Sequence, residues 1–270
     1  MQSDAPLVLV ESLVKRYGTF TAVDGISFSF GEGEVFGLLG PNGAGKSTTI
    51  KVLTTLLLPD GGCAEVGGCN VVVHPAAVRE LIGYVPQAIS VDGALTGLEN
   101  LSVMARLTNV PKNLRKPRID AVLEMLDLGE AARRRASTYS GGLIRRLEIG
   151  QAILHRPRLL VLDEPTVGLD PVARRKVWDH LTTLRHEIRV GLLLTTHYME
   201  EAEALCDTIA ILNRGRIAAL GTMEALRSQA HDPDATLDEL FSTFAGAGPE
   251  PEEGRWKEAR NARRTARRLG

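Results

Sequence analysis

The run Gly40-Pro41-Asn42-Gly43-Ala44-Gly45-Lys46-Ser47 gathers glycines, a lysine and a hydroxyl into one short segment. It fits the P-loop pattern G-x-x-x-x-G-K-[ST], with an apolar run before it and a helix-like run after it. Glycines at these positions let successive backbone N–H groups turn toward a common anion. A helix that starts there presents its positive end to the same anion. Lys46 would bring a full charge to the β- and γ-phosphates and Ser47 a hydroxyl to Mg²⁺, and Thr48 belongs to the same phosphate-binding set. A chance Gly-rich turn is the plain alternative, and the strand-before, helix-after setting speaks against it. The motif indicates a nucleotide without choosing among kinases, GTPases and ATPases.

A second segment supplies carboxylates. Leu159-Leu160-Val161-Leu162 is an apolar run that ends in Asp163 and Glu164. A parallel strand buried on both faces reads this way, and functional groups emerge at its carboxyl end. Asp163 is placed there to hold Mg²⁺ beside a nucleotide, and Glu164 to orient and deprotonate an attacking water. A strand leading into an acidic helix start would look similar in isolation. The P-loop upstream favours the chemical reading.

These groups need a scaffold, and the chain offers one. Leu7–Val10 and Gly25–Phe30 read as strands, Val35–Leu39 as another, and Ser47–Leu58 as a helix stopped by Pro59-Asp60-Gly61-Gly62. Helical periodicity dominates Leu98–Leu107, Ile119–Leu128 and Gly142–His155. Leu159–Leu162 returns as a strand. Asp170-Pro171 marks a helix start running to Glu187. Val190–Thr195 is a strand, Met199–Leu205 a short helix, and Thr208–Leu212 with Ile217–Leu220 a hairpin. Strands alternating with helices predict a mostly parallel sheet covered on both faces, interrupted by a helical insert. No internal repeat is visible.

The bulk composition narrows the class. At 270 residues, 44% hydrophobic and 24% charged, the chain is long enough for one well-filled core. A net charge of −1 argues against a polyanion partner, so no nucleic acid is expected. Cys63, Cys69 and Cys206 form no CxxC pair and read as small buried hydrophobes, with no zinc site expected. No basic-then-apolar leader opens the sequence, and no apolar run reaches the ~18 residues that span a bilayer. A cytosolic chain is the default expectation.

Tyr139-Ser140-Gly141-Gly142, followed by the helical run to His155, joins the other motifs in a recognisable order. With the P-loop, Gln87, Asp170 and His197, it closely resembles the nucleotide-binding domain of ATP-binding-cassette (ABC) proteins, over about Leu7 to Thr222. The resemblance implies an α/β P-loop NTPase of the RecA-like kind, with an N-terminal antiparallel β subdomain and an α-helical subdomain inserted at about residues 92–156. Residues 223–270 are then a short helical extension and a basic tail. It implies binding of ATP with Mg²⁺ and hydrolysis of that ATP. Tyr17 resembles the aromatic that stacks on adenine, and Gln87 the glutamine that touches Mg²⁺ or water near the membrane subunit. Asp170 resembles the inter-subunit aspartate and also fits an ordinary helix cap. His197 resembles the γ-phosphate histidine, with Lys46, Gln87 and Glu164 beside it as the catalytic set. Ser140, Gly141 and Gly142 would complete the ATP site of an opposite subunit.

Two positions depart from the commonest pattern. Leu143 stands where glutamine is usual, and Gly150 where alanine is; a mid-helix glycine costs roughly 1 kcal/mol unless packing requires it. The motif wording most resembles daunorubicin-resistance-type export subunits, down to Thr236-Leu237-Asp238-Glu239-Leu240-Phe241. The resemblance therefore implies an exporter of a small molecule, of drug or antibiotic kind, as a peripheral subunit on the cytoplasmic face of the membrane. Its partners would be a second cassette packed head to tail, read as an identical copy with a different one left open, and a membrane permease docked near Gln87 and Asp92–Leu101. A non-transport or regulatory ABC ATPase is the alternative. The basic run from Arg255 to Arg268 fits either a solvated helix or a stripe lying on anionic lipid.

Overall fold

The computed structural model describes residues 5–246, so the basic tail lies outside the described residues. The first strands, β1 (Val8–Tyr17) and β2 (Phe20–Phe30), make a long antiparallel hairpin. The strands expected at Leu7–Val10 and Gly25–Phe30 are only its base. Its upper part escapes a period-two reading because the register shifts around Ser12, which sits at φ 47° and changes which face the following side chains take.

β3 (Val35–Leu39) leads into α1 (Lys46–Leu53). The helix expected to reach Leu58 ends early: Thr55 adopts φ 60°, and the N–H groups of Leu56 and Leu57 both turn back to the Lys51 carbonyl. β4 (Gly61–Val66) and β5 (Cys69–Asn70) complete a four-stranded antiparallel sheet in the order β2-β1-β4-β5. α2 (Pro75–Leu81) then runs directly into β6 (Ile82–Val85). The helical insert follows as α3 (Gly97–Leu107), α4 (Lys112–Met125) and α5 (Gly141–Ile153). α4 starts ahead of the expected Ile119 and carries Pro117 inside it.

β7 (Leu159–Asp163), α6 (Pro171–Ile188), β8 (Gly191–Thr196), α7 (Met199–Leu205), β9 (Thr208–Asn213) and β10 (Arg216–Gly221) build the second half. α8 (Met223–Ala230) and α9 (Leu237–Ala245) close the described chain. The main sheet has the order β10-β9-β3-β8-β7-β6 and is parallel except for the β9–β10 hairpin.

Its central strands are buried along their whole length, and alternate side chains enter different cores. Leu159 and Val161 join the antiparallel sheet and α1 in one apolar cluster. Leu160 and Leu162 point the other way, into the cluster shared with α3, α4, α5 and α6. Phe36 shows the strength of the first: it is fully buried and stacks between Phe28 and Phe30 at ring-centre distances of 4.8 and 5.0 Å. Burying one such side chain contributes about 1.5–3 kcal/mol. A third cluster seats α7, α8 and α9 on β9.

Gly150 is explained by the helical insert. A Cβ there would lie 2.8 Å from Val122 and 3.2 Å from Leu126, so close packing of α5 on α4 requires the glycine.

Candidate active site

The P-loop sits where β3 stops and α1 begins, at the carboxyl end of the parallel sheet, as the strand–loop–helix order demands. Two glycines there have no substitute. A Cβ at Gly40 would stand 2.6 Å from the Leu212 carbonyl oxygen, and Gly45, at φ 110°, would meet the Ala22 carbonyl at the same distance. The loop is braced from outside: Gly215 donates its N–H to the Ala44 carbonyl at 3.0 Å, and Asp24 donates to Gly215 at 2.8 Å. Gly45 caps α1 with no side-chain hydrogen bond, and no acidic residue stands in the first turn. The amides at this helix end therefore remain free for an anion.

Lys46 is buried, and its Nζ donates to the carbonyls of Gly40 at 2.7 Å and Pro41 at 3.2 Å. Burial lowers its pKa, while the carboxylates of Glu164 and Asp163 pull it back up. An ammonium held among carbonyls, with most of its water removed, is positioned to exchange those partners for phosphate oxygens.

β7 delivers the two carboxylates. Asp163 is buried and accepts from Thr195 Oγ1 at 2.7 Å. Glu164 takes φ 50°, a conformation costly for a non-glycine residue and concentrated at functional sites. Its N–H is held by the Thr195 carbonyl and by Thr195 Oγ1, each at 3.1 Å. This turn separates the directions of the adjacent acids. The Glu164 carboxylate accepts from Gln87 Nε2 at 3.0 Å and lies 3.5 Å from His197 Nδ1. A carboxylate set between an amide and an imidazole, at the mouth of a cleft, can accept a proton from a bound water.

One open cleft of about 700 Å³ joins these parts. Gly40–Thr48, Gln87, Glu164 and His197 line it together with Tyr17. Asp163, which is buried, does not line it, nor do Ser140, Gly141, Gly142 and Asp170. Ser140 caps α5 through a long 3.4 Å bond from Leu143 N–H, and the two glycines abut Leu169 and Ala173. Asp170 caps α6, accepting from Val172 and Ala173 N–H groups at 3.0 and 2.9 Å.

Several contributors were given no site role from the sequence. Thr195 fixes the Asp163 carboxylate and the Glu164 N–H, and its only sequence signal is a hydroxyl near the end of an apolar strand. Arg145 donates to the Pro86 carbonyl at 2.9 Å, while Glu148 accepts from the N–H and hydroxyl of Ser90. The two side chains also pair at 3.1 Å, so α5 grips the Gln87 segment from both sides. Phe20, Met199 and Phe241 line the cleft as well.

The donors near Lys46 are a hydroxyl, a carboxylate and an amide, which suit a hard divalent cation whose remaining sites are taken by phosphate oxygens and water. Among the described residues no cluster of three or more His, Cys, Asp or Glu is placed to hold a metal independently.

Residues 23–167 match the family model described as ABC transporter. The doxorubicin resistance ATP-binding protein DrrA of Mycobacterium tuberculosis (strain CDC 1551 / Oshkosh) is 42% identical over 234 residues, covering 86% of this chain and 70% of that protein. The linearmycin resistance ATP-binding protein LnrL of Bacillus subtilis (strain 168) is 40% identical over 259 residues, covering 87% and 83%. A solved structure titled as an ATP binding subunit of an ABC transporter superposes with a TM-score of 0.80 at 31% identity, over 88% of this chain and 99% of that one. On the P-loop fold and these matches together, the chain belongs to the ABC transporter family, as an ATP-binding subunit that hydrolyses ATP to power transport.

Proposed function

We propose that this subunit energises export of a small molecule of the drug or antibiotic kind, through two ATP sites that it shares with a second cassette packed head to tail. Subunits of this family dimerise and work with a membrane permease. The relatives named for doxorubicin and linearmycin resistance support the class of cargo. The observation that carries the shared-site reading is the separation of parts: Lys46, Gln87, Glu164 and His197 gather around one cleft, while Ser140–Gly142 stand outside it.

In this reading the P-loop amides and Lys46 bind the triphosphate, and Tyr17 receives the adenine. Glu164 takes a proton from the attacking water, and Gln87 and His197 hold that carboxylate in line. Ser140 and the start of α5 meet the γ-phosphate bound to the opposite subunit, with Asp170 at the same seam. Ser47, Asp163 and Gln87 would hold Mg²⁺, which when bound neutralises phosphate charge and polarises the terminal phosphoryl group. Gln87, gripped by α5, also lies where a permease docking beside Asp92–Leu101 would be felt. None of the described helices is long and apolar enough to cross a membrane, so the subunit would be peripheral, held at the cytoplasmic face by its permease.

Mixing two inactive variants tests the arrangement. Lys46→Ala removes the P-loop charge from one chain, and Ser140→Glu places a repelling acid on the other. A mixed pair of shared sites retains one intact site, so turnover should return to roughly a quarter of the wild-type rate on random pairing. If the mixture stays as inactive as its components, the sites are not shared.

A further inference from the structure

The cleft is lined by residues of two chemical kinds. Phosphate-binding groups make up one, and Tyr17, Phe20, Ala22, Met199 and Phe241 the other. Tyr17 and Phe20 come from the turn of the first hairpin and are 49% and 60% exposed. Such exposure of large rings next to an anion cradle is wasteful unless a flat partner covers them. Phe241 comes from α9, far along the chain, and lines the same cleft.

Its helix is firmly anchored. α9 starts with a reciprocal cap between Thr236 and Glu239, and its first N–H donates to Glu203 at 2.8 Å. Its last carbonyl, on Ala245, accepts from Asn213 Nδ2 at 2.7 Å. Leu237 and Leu240 are fully buried against β9 and α7. Phe241, at the margin of that apolar face, is partly buried and borders the cleft. A ring fixed by its own helix can contact a base with little loss of side-chain freedom.

On the reading of the cleft as the ATP site, we propose that Phe241 is a further base-binding residue: with Tyr17 and Phe20 it forms an aromatic seat for the purine. The seat couples nucleotide affinity to the docking of α9. Base–aromatic contacts tolerate any base because every base has a π-face, so the effect belongs to the base and not to the phosphates.

The test measures displacement of a fluorescent ATP analogue from the full chain by ATP and, separately, by inorganic tripolyphosphate. Phe241→Leu keeps the apolar volume and removes the ring face; it should weaken ATP binding about five- to tenfold and leave tripolyphosphate unchanged. Phe241→Trp should restore ATP affinity. Equal weakening of both competitors by Phe241→Leu would show a disturbed fold, and unchanged ATP affinity would show an idle ring; either overturns the assignment. Lys46→Ala separates the two levels, because it should weaken both competitors. If it weakens neither, the fault lies with the P-loop reading of the cleft.

Discussion

Helices α1 and α5 both begin beside glycine, and neither carries an acidic residue in its first turn, yet only α1 opens into a cleft of its own chain. Three other helix starts are closed by side chains. α3 and α9 have reciprocal Thr–Glu caps, and Asp170 closes α6 with two short bonds. At α1 no side chain caps the amides, and at α5 the single bond from Leu143 to Ser140 is long. Both of these glycine-flanked helix ends are left open to anions, one above Lys46 and one on an outer surface. An anion bridging both needs a second molecule to bring the outer one over the inner one.

Single substitutions sharpen that contrast. The largest expected effect is at α1: Lys46→Ala should cost about 2–5 kcal/mol of ATP affinity, a loss of roughly thirtyfold or more, in the isolated subunit. Ser140→Ala should leave that isolated affinity alone and slow turnover about ten- to a hundredfold, since it removes one hydrogen bond to a charged group. Equilibrium binding at a concentration too low for pairing, followed by steady-state hydrolysis at high concentration, measures both. A fall in isolated affinity on Ser140→Ala would erase the difference between the two ends.

The α1 end was far more legible in the sequence than its surroundings. Gly40–Ser47 is contiguous, and its chemistry follows from residue types at fixed spacing. The Asp163–Glu164 pair is likewise announced by the apolar strand before it. The fully buried strands around β7 were readable because a strand covered on both faces is apolar throughout. Thr195, Arg145, Glu148 and Phe241 act through partners far away in the chain, and local spacing carries no trace of such contacts. Strands β4 and β5 were missed because β4 opens on two glycines and is only partly buried, and β5 is two residues long, so neither alternation nor a continuous apolar run marks them. Gly150 looked like a weak point in α5 until the packing of Val122 and Leu126 gave its reason.

The smallest expected effect concerns how α5 is rooted. His155, just past its last turn, hydrogen-bonds the Ile82 carbonyl at 3.1 Å, at the start of the strand leading to Gln87. Burial lowers its pKa below the ordinary 6.5; the bond to Ile82 opposes this, and Arg118 adds to the lowering. Its Nδ1 is buried without a partner, so a second ring proton would have nothing to donate to. The unfolded chain accepts that proton near pH 6.5 and the folded one resists it. Stability should therefore be constant in this respect above pH 6.5 and fall as the pH drops below it. His180, also lowered by burial, adds to the same slope. Thermal unfolding followed from pH 8 to 5.5 should show the decline, and His155→Gln should flatten part of it while costing about 0.5–1.5 kcal/mol at neutral pH. α1 has no histidine at its foot. Hydrogen exchange at pH 5.5 should accordingly rise first in α5, and an equal rise in α1 would mean that acid loosens the whole sheet and not the root of the helical insert.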